Sequence, residues 1–111
     1  MTLSYVHGAM DVPLLGETIG ANLERTAQRV PDCEALVSRH QNLRLTYAEL
    51  NAAVDVVARG LIDLGLERGD RLGIWSPNNA EWMLVQYASA KAGVILVNIN
   101  PAYRLTELEY A

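Results

Sequence analysis

At 111 residues and a net charge of −4, the chain fits one small domain or a piece of a larger one, and it lacks the positive face that nucleic acid needs. Its cations are scattered singly, with Lys91 the only lysine, so an anionic membrane surface is disfavoured as well. Half of the residues are apolar and a fifth are charged, the balance of a soluble globular protein, and no apolar run approaches the ~18–20 residues that span a bilayer.

Residues 1–16 include Gly8, Pro13 and Gly16 and show no hydrophobic period, which predicts an irregular lead-in. They have neither the basic start nor the sustained apolar stretch of a signal peptide, and a cytoplasmic location is expected. From about Thr18, the residues Ile19, Leu23, Ala27 and Val30 recur at helical spacing, with Glu24, Arg25 and Arg29 on the other side. Pro31 stops that helix. Two short runs, Ala35–Ser38 and Leu43–Thr46, flank the polar turn Arg39–Asn42. Leu43 and Leu45 alternate with Arg44 and Thr46, so a β-hairpin is predicted.

Thr46 followed three residues later by Glu49 is a capping box. The helix behind it should run from Tyr47 to about Leu64, with Leu50, Val54, Val57, Leu61 and Leu64 as its apolar stripe and Gly65 just past its end. A polar turn, Glu67–Asp70, leads into a strand, Arg71–Trp75. Ser76–Asn79 then turns the chain and caps a helix from about Asn79 to Ala92, whose small residues Ala88, Ser89, Ala90 and Ala92 let it lie close against a sheet. Gly93 ends it, and Val94–Val97 reads as a strand apolar on both faces, which belongs in a parallel sheet covered on both sides. The predicted class is α/β, a β-hairpin followed by a right-handed βαβ unit of parallel strands. The segment Leu105 to Ala111 reads as the start of another helix, with Thr106 as its cap and Glu107 and Glu109 in its first turn.

Standard signatures of chemistry are missing: there is no GxGxxG, no GxxxxGK[ST] and no GxSxG. Cys33 is the only cysteine, and with His7 and His40 the only histidines there is no zinc-ligand spacing. Cys33 has no sequence-evident base and reads as a loop bystander rather than a nucleophile. His40 falls in the hairpin turn, where imidazole is usually solvated, and His7 lies in the lead-in. Asp55 and Arg59, spaced i, i+4, read as a surface pair. Lys91 in the last turn of its helix complements the helix dipole, the alternative being a phosphate ligand. Asn98, Asn100 and Tyr103 stand beyond the C-terminal end of a parallel strand, where ligands gather in open sheets. The competing reading is that the two amides tie down a turn that Pro101 fixes.

Two stretches resemble a known family. Leu45-Thr46-Tyr47-Ala48-Glu49-Leu50 is similar to the first core motif of the adenylate-forming enzymes, L-[T/S]-Y-x-E-L. Ala90-Lys91-Ala92-Gly93-Val94 resembles their second, L-K-A-G-x, with Ala90 in place of the usual leucine. Between them Gly65, Gly69-Asp70-Arg71 and Ser76-Pro77-Asn78 also resemble the family. Peptide-synthetase members usually carry an aspartate before the proline that matches Pro101. Here Val97-Asn98-Ile99-Asn100-Pro101-Ala102-Tyr103-Arg104 looks like the form found in medium- and long-chain fatty acyl-CoA synthetases.

The resemblance implies that residues 17–111 are an incomplete N-terminal subdomain of an AMP-binding domain, behind a lead-in of residues 1–16. It implies a fatty acid substrate and, for the parent enzyme, ATP, Mg²⁺ and CoA. The family's catalytic parts are a Ser/Thr/Gly-rich loop, an acidic ribose ligand and a lysine in a mobile C-terminal domain. None has a counterpart among these residues, so no catalytic, cofactor-binding or metal residue is assigned, and the chain by itself is expected to be inactive and to bind none of those cofactors. A different expectation is a non-catalytic α/β module that binds a partner through an exposed sheet edge; an unrelated small α/β enzyme has no motif behind it. Self-association is also expected, because Val94–Val97 needs cover on both faces.

Overall fold

The computed structural model describes Ser4, Gly8 and residues 11–111. His7 and most of the first ten residues of the lead-in therefore lie outside the described residues, and from Asp11 to Thr18 the chain is irregular. Helix α1 spans Ile19–Arg29, opened by the Thr18 hydroxyl, which accepts the Ala21 N–H at 3.2 Å. Strands β1 (Glu34–Ser38) and β2 (Leu43–Thr46) pair antiparallel. The turn between them passes through Asn42 at φ 50°, a left-handed conformation that asparagine tolerates better than most residues.

Helix α2 runs Tyr47–Asp63 behind a complete capping box. The Thr46 hydroxyl accepts the Glu49 N–H at 3.3 Å while the Glu49 carboxylate accepts the Thr46 N–H at 2.8 Å. Strand β3 (Arg71–Trp75), helix α3 (Ala80–Ala92) and strand β4 (Ile95–Ile99) then form the βαβ unit, with β3 and β4 parallel and Arg71 opposite Ile95. Helix α4 (Leu105–Tyr110) follows. The fold class is the α/β arrangement that the sequence predicts.

Three local expectations need correction. The last strand is Ile95–Ile99, not Val94–Val97. Val94 still closes the helix: its N–H goes to the Ser89 carbonyl at 2.8 Å, and the Gly93 N–H goes to Ala90, a Schellman ending with Gly93 at φ 74°. Leu64 lies past the end of α2 and is exposed, and Ala58 takes a place in the buried stripe beside Leu50, Val54 and Leu61. Helix α4 starts at Leu105 with Arg104 at its N-cap, so Thr106 is inside the helix rather than at its cap; the Glu107 carboxylate accepts the Arg104 N–H at 3.2 Å.

The core lies where α1, α2 and α3 meet, built from Leu23, Leu50, Val54, Ala58, Leu61 and Ala88. Leu36 and Leu45 of the hairpin and Leu72 of β3 pack around it. Alternation along β3 and β4 puts Leu72, Ile74 and Leu96 on the covered face of their sheet. The other face is open: Trp75 is 50% exposed, Ile95 52% and Val97 37%. Among the described residues the sheet is covered on one side only, which leaves the apolar patch expected of a strand that needs cover on both faces.

Candidate functional site

The most organised polar cluster centres on Lys91. Helix α3 carries it in its last turn, while α2 presents Asn51 and Asp55 one turn apart on a single face. Helix α1 contributes Glu24 and comes close because position 20 is glycine: a Cβ there would stand 2.8 Å from the Lys91 Cγ. The ammonium donates to Asp55 Oδ1 at 2.6 Å, Asn51 Oδ1 at 2.8 Å and Glu24 Oε1 at 3.0 Å. The Lys91 side chain is only 10% exposed. Burial pulls its pKa down, but the hydrogen bonds and charges of Asp55 and Glu24 outweigh that and hold it above the ordinary lysine value.

This changes two sequence readings. Lys91 does sit in the last turn of α3, but its charge is met sideways by two other helices. Asp55 is no surface partner of Arg59: its carboxylate serves Lys91, and the Arg59 Nε donates to the Asp55 backbone carbonyl at 3.3 Å. An ammonium has three donors, and here each already has a protein acceptor. With two carboxylates beside it, the group is built to join helices rather than to grip a phosphate.

A second polar joint centres on Gln41, in the hairpin turn. Its Oε1 accepts the Ser38 hydroxyl at 2.6 Å and the Ala80 N–H at 2.8 Å, and its Nε2 donates to Glu81 at 2.7 Å. It satisfies a free N–H at the start of α3 and fixes the hairpin against that helix. The hydrogen bond from Gln41 lowers the Glu81 pKa. The N-cap of α3 is Asn79, which accepts the Trp82 N–H at 2.8 Å and donates to Ser76 at 2.9 Å.

Asn98, Asn100 and Tyr103 fall into different settings. Asn98 is within β4, opposite Ile74, and lines an open depression of about 500 Å³ with Thr18, Trp82, Gln86 and Leu96. Asn100 forms the turn: its Oδ1 accepts the Ala102 N–H and its carbonyl accepts the Tyr103 N–H, each at 3.0 Å. Tyr103 borders a separate depression of about 530 Å³ with Arg104 and Tyr110. Cys33 is exposed between α1 and β1, where its backbone carbonyl accepts the Tyr47 N–H at 3.0 Å. His40 is exposed, its Nδ1 3.5 Å from the Ser38 hydroxyl.

Sequence reasoning missed the Glu24–Asn51–Asp55–Lys91 cluster and the Gln41 joint. The first had a partial signal, two polar residues at i, i+4 on α2 and a lone lysine on α3. The second had none, because Gln41 and its partners on α3 are far apart in the chain. Among the described residues no group of three or more His, Cys, Asp or Glu could hold a metal ion, and no helix is long and apolar enough to cross a membrane.

Residues 23–111 match the family described as AMP-binding enzyme, a stretch that holds most of the fold and both core motifs. The chain belongs to the AMP-binding enzyme family. It is 57% identical over 108 residues to a protein of Macaca fascicularis named medium-chain acyl-CoA ligase ACSF2, mitochondrial; the match takes in 97% of this chain and 18% of that one. It is 42% identical over 97 residues to a putative acyl-CoA synthetase of Bacillus subtilis, covering 87% of this chain and 18% of that one. The inhibitor-bound N-terminal domain of FACL13 from Mycobacterium tuberculosis superposes with a TM-score of 0.81 at 33% identity, over 84% of this chain and 23% of that one. The chain thus spans under a fifth of the length of these curated relatives.

In this member of the AMP-binding family the first core motif holds the capping box that starts α2, and the second is the last turn of α3 with its Schellman ending. Both are joints of the scaffold. Lys91, the sole lysine, already donates to three protein acceptors.

Proposed function

We propose that this chain is the N-terminal part of an ATP-dependent acyl-CoA synthetase that activates a medium- or long-chain fatty acid. In that reaction a carboxylate oxygen attacks the α-phosphorus of ATP and pyrophosphate leaves. The sulfur of CoA then bonds to the acyl carbon, AMP leaves and the thiol proton is released. A carboxylate is a poor acyl donor until its oxygen becomes part of a good leaving group, and the charge that develops on phosphate calls for Mg²⁺ and fixed donors. Residues 17–111 contribute scaffold to that enzyme, an incomplete subdomain behind a lead-in of residues 1–16. None of their side chains acts as catalyst, nucleotide ligand or metal ligand.

The observation that carries this reading is the match of residues 23–111 to the AMP-binding family, with both core motifs present as structural joints. Purified by itself, the chain should show only background ATP–pyrophosphate exchange with fatty acids of six to sixteen carbons. Reproducible exchange would overturn the scaffold assignment. Grafted in place of the matching stretch of the Macaca ligase, it should sustain acyl-CoA formation; a soluble, folded graft without activity would sink the family-level reading. A cytoplasmic location is the reading taken from the sequence, whereas the Macaca relative is named mitochondrial. Fractionation of the native protein decides between the two.

A further inference from the structure

The lead-in joins α1 through a polar fastening. Glu17 stands one residue before the N-cap Thr18, and Asn22 is the fourth residue of the helix. At these two positions a pair of apolar residues often staples a chain to the start of a helix and fixes its angle of entry. Here the pair is polar, and Arg25, about one turn further along, completes it. The Glu17 Oε1 accepts the Asn22 Nδ2 at 2.7 Å and a terminal guanidinium N–H of Arg25, while its Oε2 accepts the Arg25 Nε at 3.1 Å. Both carboxylate oxygens are engaged, in the forked form that makes an arginine–carboxylate pair strong. The Glu17 side chain is only 23% exposed, although residues before it are open: Val12 at 71%, Leu14 at 96% and Leu15 at 75%.

We propose that Glu17, Asn22 and Arg25 form a clasp that holds the lead-in at a fixed angle to α1, and that protonation of Glu17 opens it. Shut, the clasp keeps Val12, Leu14 and Leu15 on a set base at the start of the helix. Open, residues 11–16 pivot about Thr18, whose own bond to the Ala21 N–H does not involve Glu17. The hydrogen bonds from Arg25 and then Asn22 hold the Glu17 carboxyl below its ordinary value, and the bond to Glu17 raises Arg25. A lowered folded value means that the clasp's contribution is present above the ordinary glutamate value and is lost as pH falls through the folded one. The clasp is thus shut at neutral pH and opens below about pH 4. Among the other charged groups, Asp11 lies in the lead-in, Glu24 and Asp55 share Lys91, and Arg29 is in the last turn of α1. Arg68 stands across a depression that Thr18 and Glu24 also line. Arg25 is the cation bonded to Glu17.

The test places a nitroxide at position 15 of the 111-residue chain, through Leu15→Cys combined with Cys33→Ser, and reads its mobility by electron paramagnetic resonance in dilute solution. Leu15 is exposed, so the label displaces no packed group. At neutral pH a large slow-tumbling component is expected. Glu17→Gln and Arg25→Gln should each reduce that component at least threefold while circular dichroism stays unchanged, and Asn22→Ala should reduce it by a smaller factor. In the parent chain the slow component should fade between about pH 5 and pH 3, before the helical circular dichroism falls. Glu17→Gln should show no such step. Equal mobility in the parent and the two charge variants at neutral pH overturns the clasp. A loss in acid that merely accompanies global unfolding, or that persists in Glu17→Gln, overturns its opening by Glu17.

Discussion

Lys91 shows how much one side chain can decide. Its ammonium joins α1, α2 and α3 through Glu24, Asn51 and Asp55, and its pKa is raised by those partners against the opposing pull of burial. A raised folded pKa means that the group's contribution to stability is complete below the ordinary lysine value and is lost as pH climbs through the folded value. Urea unfolding of the native chain should therefore lose stability above about pH 10, while Lys91→Met should lack that alkaline decline. At neutral pH the same substitution should cost about 1–3 kcal/mol, below the range for a fully buried pair because Glu24 and Asp55 stay half exposed. Cys33 is the contrasting case. Its side chain is exposed and only its backbone is tied in, so Cys33→Ser should shift stability by no more than about 0.5–1 kcal/mol. A loss of several degrees in melting temperature would show that the thiol is packed.

At the scale of elements, two helical glycines separate intrinsic propensity from packing. Gly60, in α2, has nothing within 4 Å of where a Cβ would stand. Gly60→Ala should stabilise the protein by about 0.5–1 kcal/mol, the ordinary helix preference for alanine. Gly20, in α1, would place its Cβ 2.8 Å from the Lys91 Cγ, an overlap near the root of the lysine side chain rather than at its free end. Gly20→Ala should therefore destabilise in spite of the same preference, and it should flatten the alkaline decline by dislodging Lys91. Thermal melts of the two variants side by side check the claim; equal stabilisation of both would mean that α1 is not held closely against Lys91. Both glycines are visible in the sequence as weak points of helices. Only the contact with α3 gives one of them a reason to be there.

For the molecule as a whole, the balance lies between a well-buried three-helix core and a sheet with one open face. Val54 and Ala88 are fully buried, while Trp75 and Ile95 stand half in water a short distance along the same chain. An exposed apolar face with free strand edges invites association. The purified chain should bind an apolar dye strongly and sediment as more than a monomer at high concentration. Val97→Lys should lower both readings without unfolding the protein, because that side chain is already partly solvated. A sharp monomer with weak dye binding would mean that the face is protected in a way the β3–β4 arrangement does not show.

By itself the sequence determined the elements, their order and the α/β class, because periodicity, caps and turn residues act over a few neighbouring positions. Thr46 with Glu49 announced α2, and Gly93 announced the end of α3, since each completes its hydrogen bonds locally. The family was legible for the same reason: its two core motifs are these local joints. Tertiary structure alone decided where Lys91 and Gln41 spend their hydrogen bonds, because their partners Glu24, Asn51, Asp55 and Ala80 are distant in the chain. It also decided which side of an all-apolar strand is covered. Val94 to Val97 announce burial without direction, and only the helices packing on Leu72 and Ile74 leave Ile95 and Val97 facing outward.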